Sequence, residues 1–288
     1  MLLRYADWGA PRDPRASGGV PELGVWQVLI AAQVVVWMLI ASTGLRALAE
    51  LDEEIDGLPS ARTAARRARW RRETAAFLCF TYGVLVLFLV LGGIAGMRNP
   101  NVMVGQGWKT PLLHVIAGVA TLPFFLVLKR VQLCATEDSF WSPRGEDIER
   151  MRLLRRHLRS ATASLGAIIA LAVVSTGALR QAVEAASLPA LPETFVIVYG
   201  AGFTAVLAGV YLYVFGALDR RARDLVRKAV RVPDPDPAAA QEFSARIALR
   251  RALVEELELG GDAKTNLEGL VVVLSPLVAA MLTRIGGL

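Results

Sequence analysis

Long apolar stretches alternate with charged ones along the chain. Five of them are almost free of charge and, at about 17 to 25 residues, each can cross a hydrocarbon core about 30 Å thick as an α-helix. They cover residues 25–43, 76–97, 112–128, 161–179 and 194–218. A sixth segment, 266–284, carries Ser275 and Pro276 in its middle, so the pattern predicts either a span or a re-entrant segment there.

Composition favours the same class of protein. Of the 288 residues, 54% are hydrophobic and 20% are charged, and the mean hydropathy is +0.45. Soluble domains are less apolar and more charged than this. Residues 1–24 contain no apolar core of the length that a secretory signal peptide needs. We therefore predict an all-α, polytopic integral membrane protein that keeps its N-terminal tail.

The distribution of arginine predicts the orientation in the membrane. Segments 45–75, 129–161 and 217–264 contain seven, eight and ten Lys or Arg residues, and they alternate with arginine-poor loops. Because short arginine-rich loops stay in the cytoplasm, this places the tail 1–24 outside a cell (inner) membrane, and six spans place the C-terminus outside as well. Topology thus accounts for the net charge of +6, and we expect no nucleic-acid partner.

An acidic arm and an arginine-rich arm flank the sequence GLPS at 57–60. Five acids lie just before this break and six arginines follow it. Gly and Pro end a helix and Ser can cap the next one, so the chain is expected to fold back here. That would set Asp56 beside Arg62 and Asp52 beside Arg66. Exposed ion pairs contribute only about 0 to 1 kcal/mol each, so they select a pairing partner more than they stabilise it.

The same pattern recurs in the two other arginine-rich loops. It predicts three helical hairpins with helical extensions on the cytoplasmic side, containing six transmembrane helices, or five if the last segment is re-entrant. The hairpins cover 25–97, 112–180 and 194–288, and the third includes a cytoplasmic helix over 237–258.

Catalytic signatures are missing from the sequence. It contains no H-E-x-x-H, G-x-S-x-G, Walker phosphate loop or dinucleotide-binding glycine pattern. The only two histidines, His114 and His157, fall on opposite sides in the predicted topology, and the two cysteines suit no thiolate cluster. For His114, a hydrogen bond to a neighbouring helix is favoured over a proton-sensitive gate. We expect a non-enzymatic protein with no metal and no cofactor.

Polar side chains within the spans are few. Ionisable residues inside spans mark most transport routes, and these spans hold essentially none. The candidates for lining a conduit are Gln33, Thr121, Ser175 and Thr176. Hydrogen bonds between helices explain the same residues equally well.

Two further sets of residues suggest contacts with other molecules. Small residues permit close helix packing, within one chain or between subunits; they are Ala201, Gly202, Ala205 and Gly209 in the fifth span, and Gly92 and Gly96 in the second. Arginines at the membrane surface can bind anionic lipid headgroups or a cytosolic partner, or simply form a solvated stalk; they are Arg66, Arg67, Arg69, Arg71 and Arg72.

Three functions are compatible with these patterns. The first is a homo-oligomeric channel or pore-like assembly, gated or regulated from its cytoplasmic arms. The second is a non-enzymatic membrane scaffold or accessory subunit that docks a cytosolic partner. The third, a small-molecule carrier, is disfavoured because the spans lack charged residues.

Overall fold

The computed structural model describes residues 21–56, 64–97, 109–141, 146–185, 193–230, 240–257 and 274–281. Within these ranges every regular element is helical. The elements are α1 (Pro21–Asp56), α2 (Ala64–Met97), α3 (Lys109–Thr136), a 3-10 turn (Asp138–Phe140), α4 (Asp147–Ala185), α5 (Glu193–Ala229) and α6 (Ala240–Glu256). Residues 274–281 form a further helical segment. The prediction of an all-helical protein is confirmed.

Four of the described helices are long and apolar enough to cross a membrane. They are Gly24–Ile55, Leu112–Thr136, Asp147–Ala185 and Val196–Ala229, which contain the first, third, fourth and fifth predicted spans. The predicted span at 76–97 lies within α2 but is not among these four helices, whereas the predicted span at 266–284 and the tail 1–24 lie largely outside the described residues. The described part of the chain is thus all-helical and contains four helices that could span a membrane, as an integral membrane protein requires, and six spans are not confirmed.

Helix α1 fills the groove between α3 and α4, while α5 covers the other side of these two helices. Two contacts fix α1 in the groove. The Trp37 Nε1 donates a hydrogen bond to the backbone oxygen of Ile168 in α4, at 3.2 Å. A Cβ on Gly44 would lie only 2.9 Å from Pro123 Cβ and from the Phe124 ring, so α1 and α3 approach closely there.

The three-hairpin arrangement is not confirmed. Helix α1 packs chiefly against α3 and α4, and α2 packs against α3 and α5. In the arm of α1 beyond the first predicted span, Leu51 and Ile55 are buried in the shared core. Burying such a side chain stabilises by about 1.5 to 3 kcal/mol, against about 0 to 1 kcal/mol for an exposed ion pair. Apolar burial therefore decides which helices the acidic arm contacts.

Candidate functional site: a charged layer and an arginine groove

Ion pairs between helices gather at one end of the bundle. They link the C-terminal parts of α1, α3 and α5 and the turn after α3 to one another and to the N-terminal parts of α2 and α4. We call this set the charged layer; it consists of Asp52, Glu54, Arg66, Glu73, Lys129, Arg130, Glu137, Asp138, Arg150 and Arg221. Because the pairs cross from helix to helix, the layer holds five helices in a fixed arrangement.

The acidic arm of α1 finds its partners on α3 and α4. Asp52 lies 3.0 Å from Arg130 Nε, and Glu54 lies 3.2 Å from Arg150 Nε. Arg66, on α2, pairs with Glu137. The predicted pair of Asp52 with Arg66 is thus replaced by two others, and the predicted pair of Asp56 with Arg62 lies outside the described residues.

A buried lysine lies at the centre of the layer. The Lys129 side chain is 4% exposed, and its Nζ donates to Gln132 Oε1 at 2.7 Å and lies 3.6 Å from Glu73 Oε2. Glu73 also accepts a hydrogen bond from Arg69 Nε at 2.8 Å. The Arg69 hydrogen bond, together with the Lys129 charge, holds the pKa of Glu73 below its ordinary value. Glu73 is therefore ionised at neutral pH and offsets the charge of Lys129.

Aromatic rings brace the arginines of the layer. The Arg221 guanidinium lies 5.0 Å from the centre of the Trp141 ring, and Arg130 lies 6.0 Å from that of Trp70. Trp141 is itself held by a hydrogen bond from its Nε1 to the backbone oxygen of Cys134, at 3.0 Å. Such cation–π contacts restrict the orientation of a guanidinium group more than a surface ion pair alone would.

The predicted conduit residues fall in separate places. Ser175 and Thr176 both donate to the backbone oxygen of Ala172 in their own helix, at 3.0 and 2.8 Å. Thr121 donates to the Gly118 oxygen at 2.9 Å and lies 3.2 Å from the Tyr82 hydroxyl of α2. Gln33 is buried, and its Oε1 has no hydrogen-bond partner in the described part of the chain. In that part, no hydrogen bond links these four residues to one another.

The small residues of α5 do not face the core. Ala201, Ala205 and Gly209 are exposed and Gly202 is half-buried, and a Cβ on Gly209 would meet nothing within 4 Å. The close contact of α5 is made by Gly200, where a Cβ would lie 2.9 Å from the Pro276 oxygen and from Ala280 Cβ. Sequence reasoning missed Gly200. The surroundings of Gly92 and Gly96 lie outside the described residues.

The α2 arginines differ in their environments. Arg66 belongs to the charged layer, whereas Arg67, Arg69, Arg71 and Arg72 are exposed. Trp70, in the same segment, is buried beneath Arg130. The buried ring and the Arg66 pair hold α2 in place while the other arginines form an outward-facing basic face.

A groove that sequence reasoning missed lies between α4 and α6. Its cavity volume is about 920 Å³, and its lining includes Arg152, Arg155, Arg156, Arg159, Glu255 and Leu257. We call it the arginine groove. The sequence signal was the spacing of the four arginines in "RLLRRHLRS", where i, i+3, i+4 and i+7 share one helix face. These charges were assigned to membrane topology alone, so their common face was not considered.

The two histidines lie at opposite ends of the bundle. His157 is buried with its Nε2 3.5 Å from Glu50 Oε2, next to the charged layer. His114 Nε2 lies 2.8 Å from the Tyr199 hydroxyl of α5, which confirms the hydrogen bond expected for it. The two histidines are therefore not close to each other.

The described residues form an all-helical bundle with four helices that could span a membrane, and the ion pairs between its helices lie at one end. Comparison with known protein families, curated proteins and solved structures found no match, so its function is argued from its own geometry.

Proposed function

We propose that the chain is a non-enzymatic scaffold or accessory subunit of the cell membrane. Six helices, arranged as three hairpins, anchor it in the bilayer with the N-terminus outside and the charged layer in the cytoplasm. Four candidate spans support the membrane location. The side of the membrane follows from the positive-inside rule, because the three arginine-rich segments contribute residues to the same end of the bundle.

The observation that carries this proposal is the basic face of α2. Arg67, Arg71 and Arg72 are exposed, while the Arg66–Glu137 pair and the buried Trp70 hold the helix that presents them. A fixed surface of one charge sign attracts a partner of the opposite sign and orients it. The partner in this proposal is therefore an acidic segment of a cytosolic protein.

Photo-cross-linking in cells tests this docking surface. The probe is a photoreactive residue in place of Ala68, which is exposed on α2. The reference is the same photoreactive residue in place of Ser244, which is exposed on α6. We expect one cytosolic protein to cross-link at position 68 and not at 244. Replacing Arg67, Arg71 and Arg72 by Gln should reduce that product about tenfold or more, since each charge contributes about 1 kcal/mol.

The matched control removes three other exposed arginines, Arg223, Arg250 and Arg251. Arg66 is left intact in both variants because its loss would break the charged layer. Surface changes of this kind alter stability by about 0.5 kcal/mol or less, so both variants should unfold at nearly the wild-type temperature. Equal cross-linking by the two variants would show that α2 is not the docking surface. If only lipid adducts formed at position 68, the proposal of a cytosolic protein partner would be wrong.

An oligomeric channel regulated from the charged layer is the second candidate function. The observation that favours it is the exposed stripe of Ala201, Ala205 and Gly209, because small residues on an open helix face allow a second subunit to approach closely. Gln33 adds a buried oxygen with no hydrogen-bond partner in the described part of the chain.

Ion flux from proteoliposomes tests the channel. If the chain forms a channel, ion flux should increase with the amount of protein in the liposomes and should change in the Gln33→Leu variant. The Gly209→Leu variant should lose both the flux and the oligomer. Gly24→Leu, on an equally open helix position, is the control and should leave flux unchanged. Impermeable liposomes, or equal flux in all variants, would leave the scaffold as the only candidate of the two.

A further inference from the structure

The arginine groove brings four arginines together along an open cleft between α4 and α6. Among the described residues that line it, four are arginines of α4 and one, Glu255 of α6, is an acid. The arginines occupy successive turns of one helix face, so Arg152 faces Arg156 and Arg155 faces Arg159 at i, i+4. Like charges at this spacing repel each other. Arg156 also lies 3.9 Å from Glu50, and the row of guanidinium groups offers several N–H donors to one bound anion.

The groove has the size and the walls of a ligand site. Its volume of about 920 Å³ lies at the upper end of the range of small-molecule pockets, about 300 to 1,000 Å³. Ala252, which is exposed, contributes apolar surface, and Ser160 contributes a hydroxyl. Guanidinium groups bind phosphate through paired N–H donors, which a lysine cannot match. This combination suits a phosphate group attached to a partly apolar body.

The position of the groove along α4 indicates where that phosphate comes from. Arg159 and Ser160 directly precede residues 161–179, the charge-free part of a candidate span. The groove therefore opens where α4 enters the bilayer, at the depth of the lipid headgroups. Basic pockets at this depth bind anionic headgroups.

We propose that the arginine groove binds the phosphate of an anionic phospholipid, with its headgroup between α4 and α6. This site is separate from the basic face of α2, and it does not depend on the docking function. A smaller neighbouring cavity of about 520 Å³ shares Arg152 and Arg156 with the groove, but it adds three acids and one further arginine, so Arg155 and Arg159 are the arginines that line the groove alone.

Lipid titration of the purified full chain in a mild detergent tests the proposal. The probes are short-chain phosphatidylglycerol, phosphatidylcholine of the same acyl length, and glycerol 1-phosphate as the soluble headgroup. We expect phosphatidylglycerol to bind about tenfold more tightly than phosphatidylcholine. The groove variant Arg152→Gln/Arg159→Gln should lose most of that preference, a change of about tenfold in Kd.

The groove variant replaces two exposed arginines, so no buried position is emptied. The control, Arg250→Gln/Arg251→Gln, removes the same charge from exposed positions of α6 that do not line the groove. Arg156→Gln, also exposed, is a second groove variant in case the first unfolds. Equal loss of affinity in groove and control variants would overturn the site. Equal affinity for glycerol 1-phosphate and phosphatidylglycerol would overturn the lipid assignment and identify a soluble phosphate ester instead.

Discussion

Substitution of the buried Lys129 should destabilise the protein less than substitution of Glu73, the acid that offsets its charge. Its Nζ is buried and faces Glu73 and Gln132. We expect Glu73→Gln to destabilise the protein by about 1 to 3 kcal/mol, because it leaves a buried ammonium without an opposite charge. Lys129→Met should be close to neutral, because an apolar chain of similar length replaces the buried charge and Glu73 keeps Arg69. Thermal unfolding in detergent measures both.

The pH dependence of the same pair gives an independent check. The pKa of Glu73 is lowered by the Arg69 hydrogen bond and the Lys129 charge, so its contribution is present above its unfolded pKa of about 4.3 and is lost as pH falls through the lower folded value. The unfolding temperatures of wild type and Glu73→Gln should therefore converge only in acid. A gap that does not narrow at all as the pH falls below about 4.3 would assign the effect to packing.

At the scale of helices, Gly44 sets the distance between α1 and α3. Gly44→Ala places a methyl group 2.9 Å from Pro123 Cβ and from the Phe124 ring, and we expect overpacking to cost about 1 to 3 kcal/mol. Gly24→Ala, on the same helix with nothing within 4 Å, is the control and should be neutral or slightly stabilising, since Ala favours helix by up to about 1 kcal/mol. Equal unfolding temperatures for the two variants would contradict a close contact at Gly44.

Helix positions could be predicted from the sequence, but most helix partners could not. Four predicted spans coincide with long helices, because the length of a charge-free stretch can be read from the local sequence alone. The partner of the acidic arm depends on where Leu51 and Ile55 are buried, and that is a property of three helices together. Gly200 was missed for the same reason, since its neighbours Pro276 and Ala280 lie far along the chain. The arginine groove could not be predicted either, because α6 forms one of its walls and nothing in the sequence indicates that α6 packs beside α4.

At the scale of the whole molecule, α4 and α5 run in opposite directions, so their last residues lie at opposite ends of the bundle. Helix α4 begins in the charged layer and α5 ends there. Ala185 and Ala229 are the last residues of these two helices, and both are exposed. They therefore form a matched pair for measuring orientation, with the same residue type and the same position within a helix.

Cysteine labelling at this pair tests the orientation proposed for the whole chain. With Cys79 and Cys134 replaced by Ala, we expect a membrane-impermeant maleimide to label Ala185→Cys in intact spheroplasts, and Ala229→Cys only after the membrane is opened. This expectation follows from the proposed orientation, in which the ion-paired end, with its residues from the arginine-rich segments, lies in the cytoplasm. The reverse pattern would put the charged layer outside and remove the cytosolic dock. Labelling of both positions without permeabilisation would contradict a membrane span in α5.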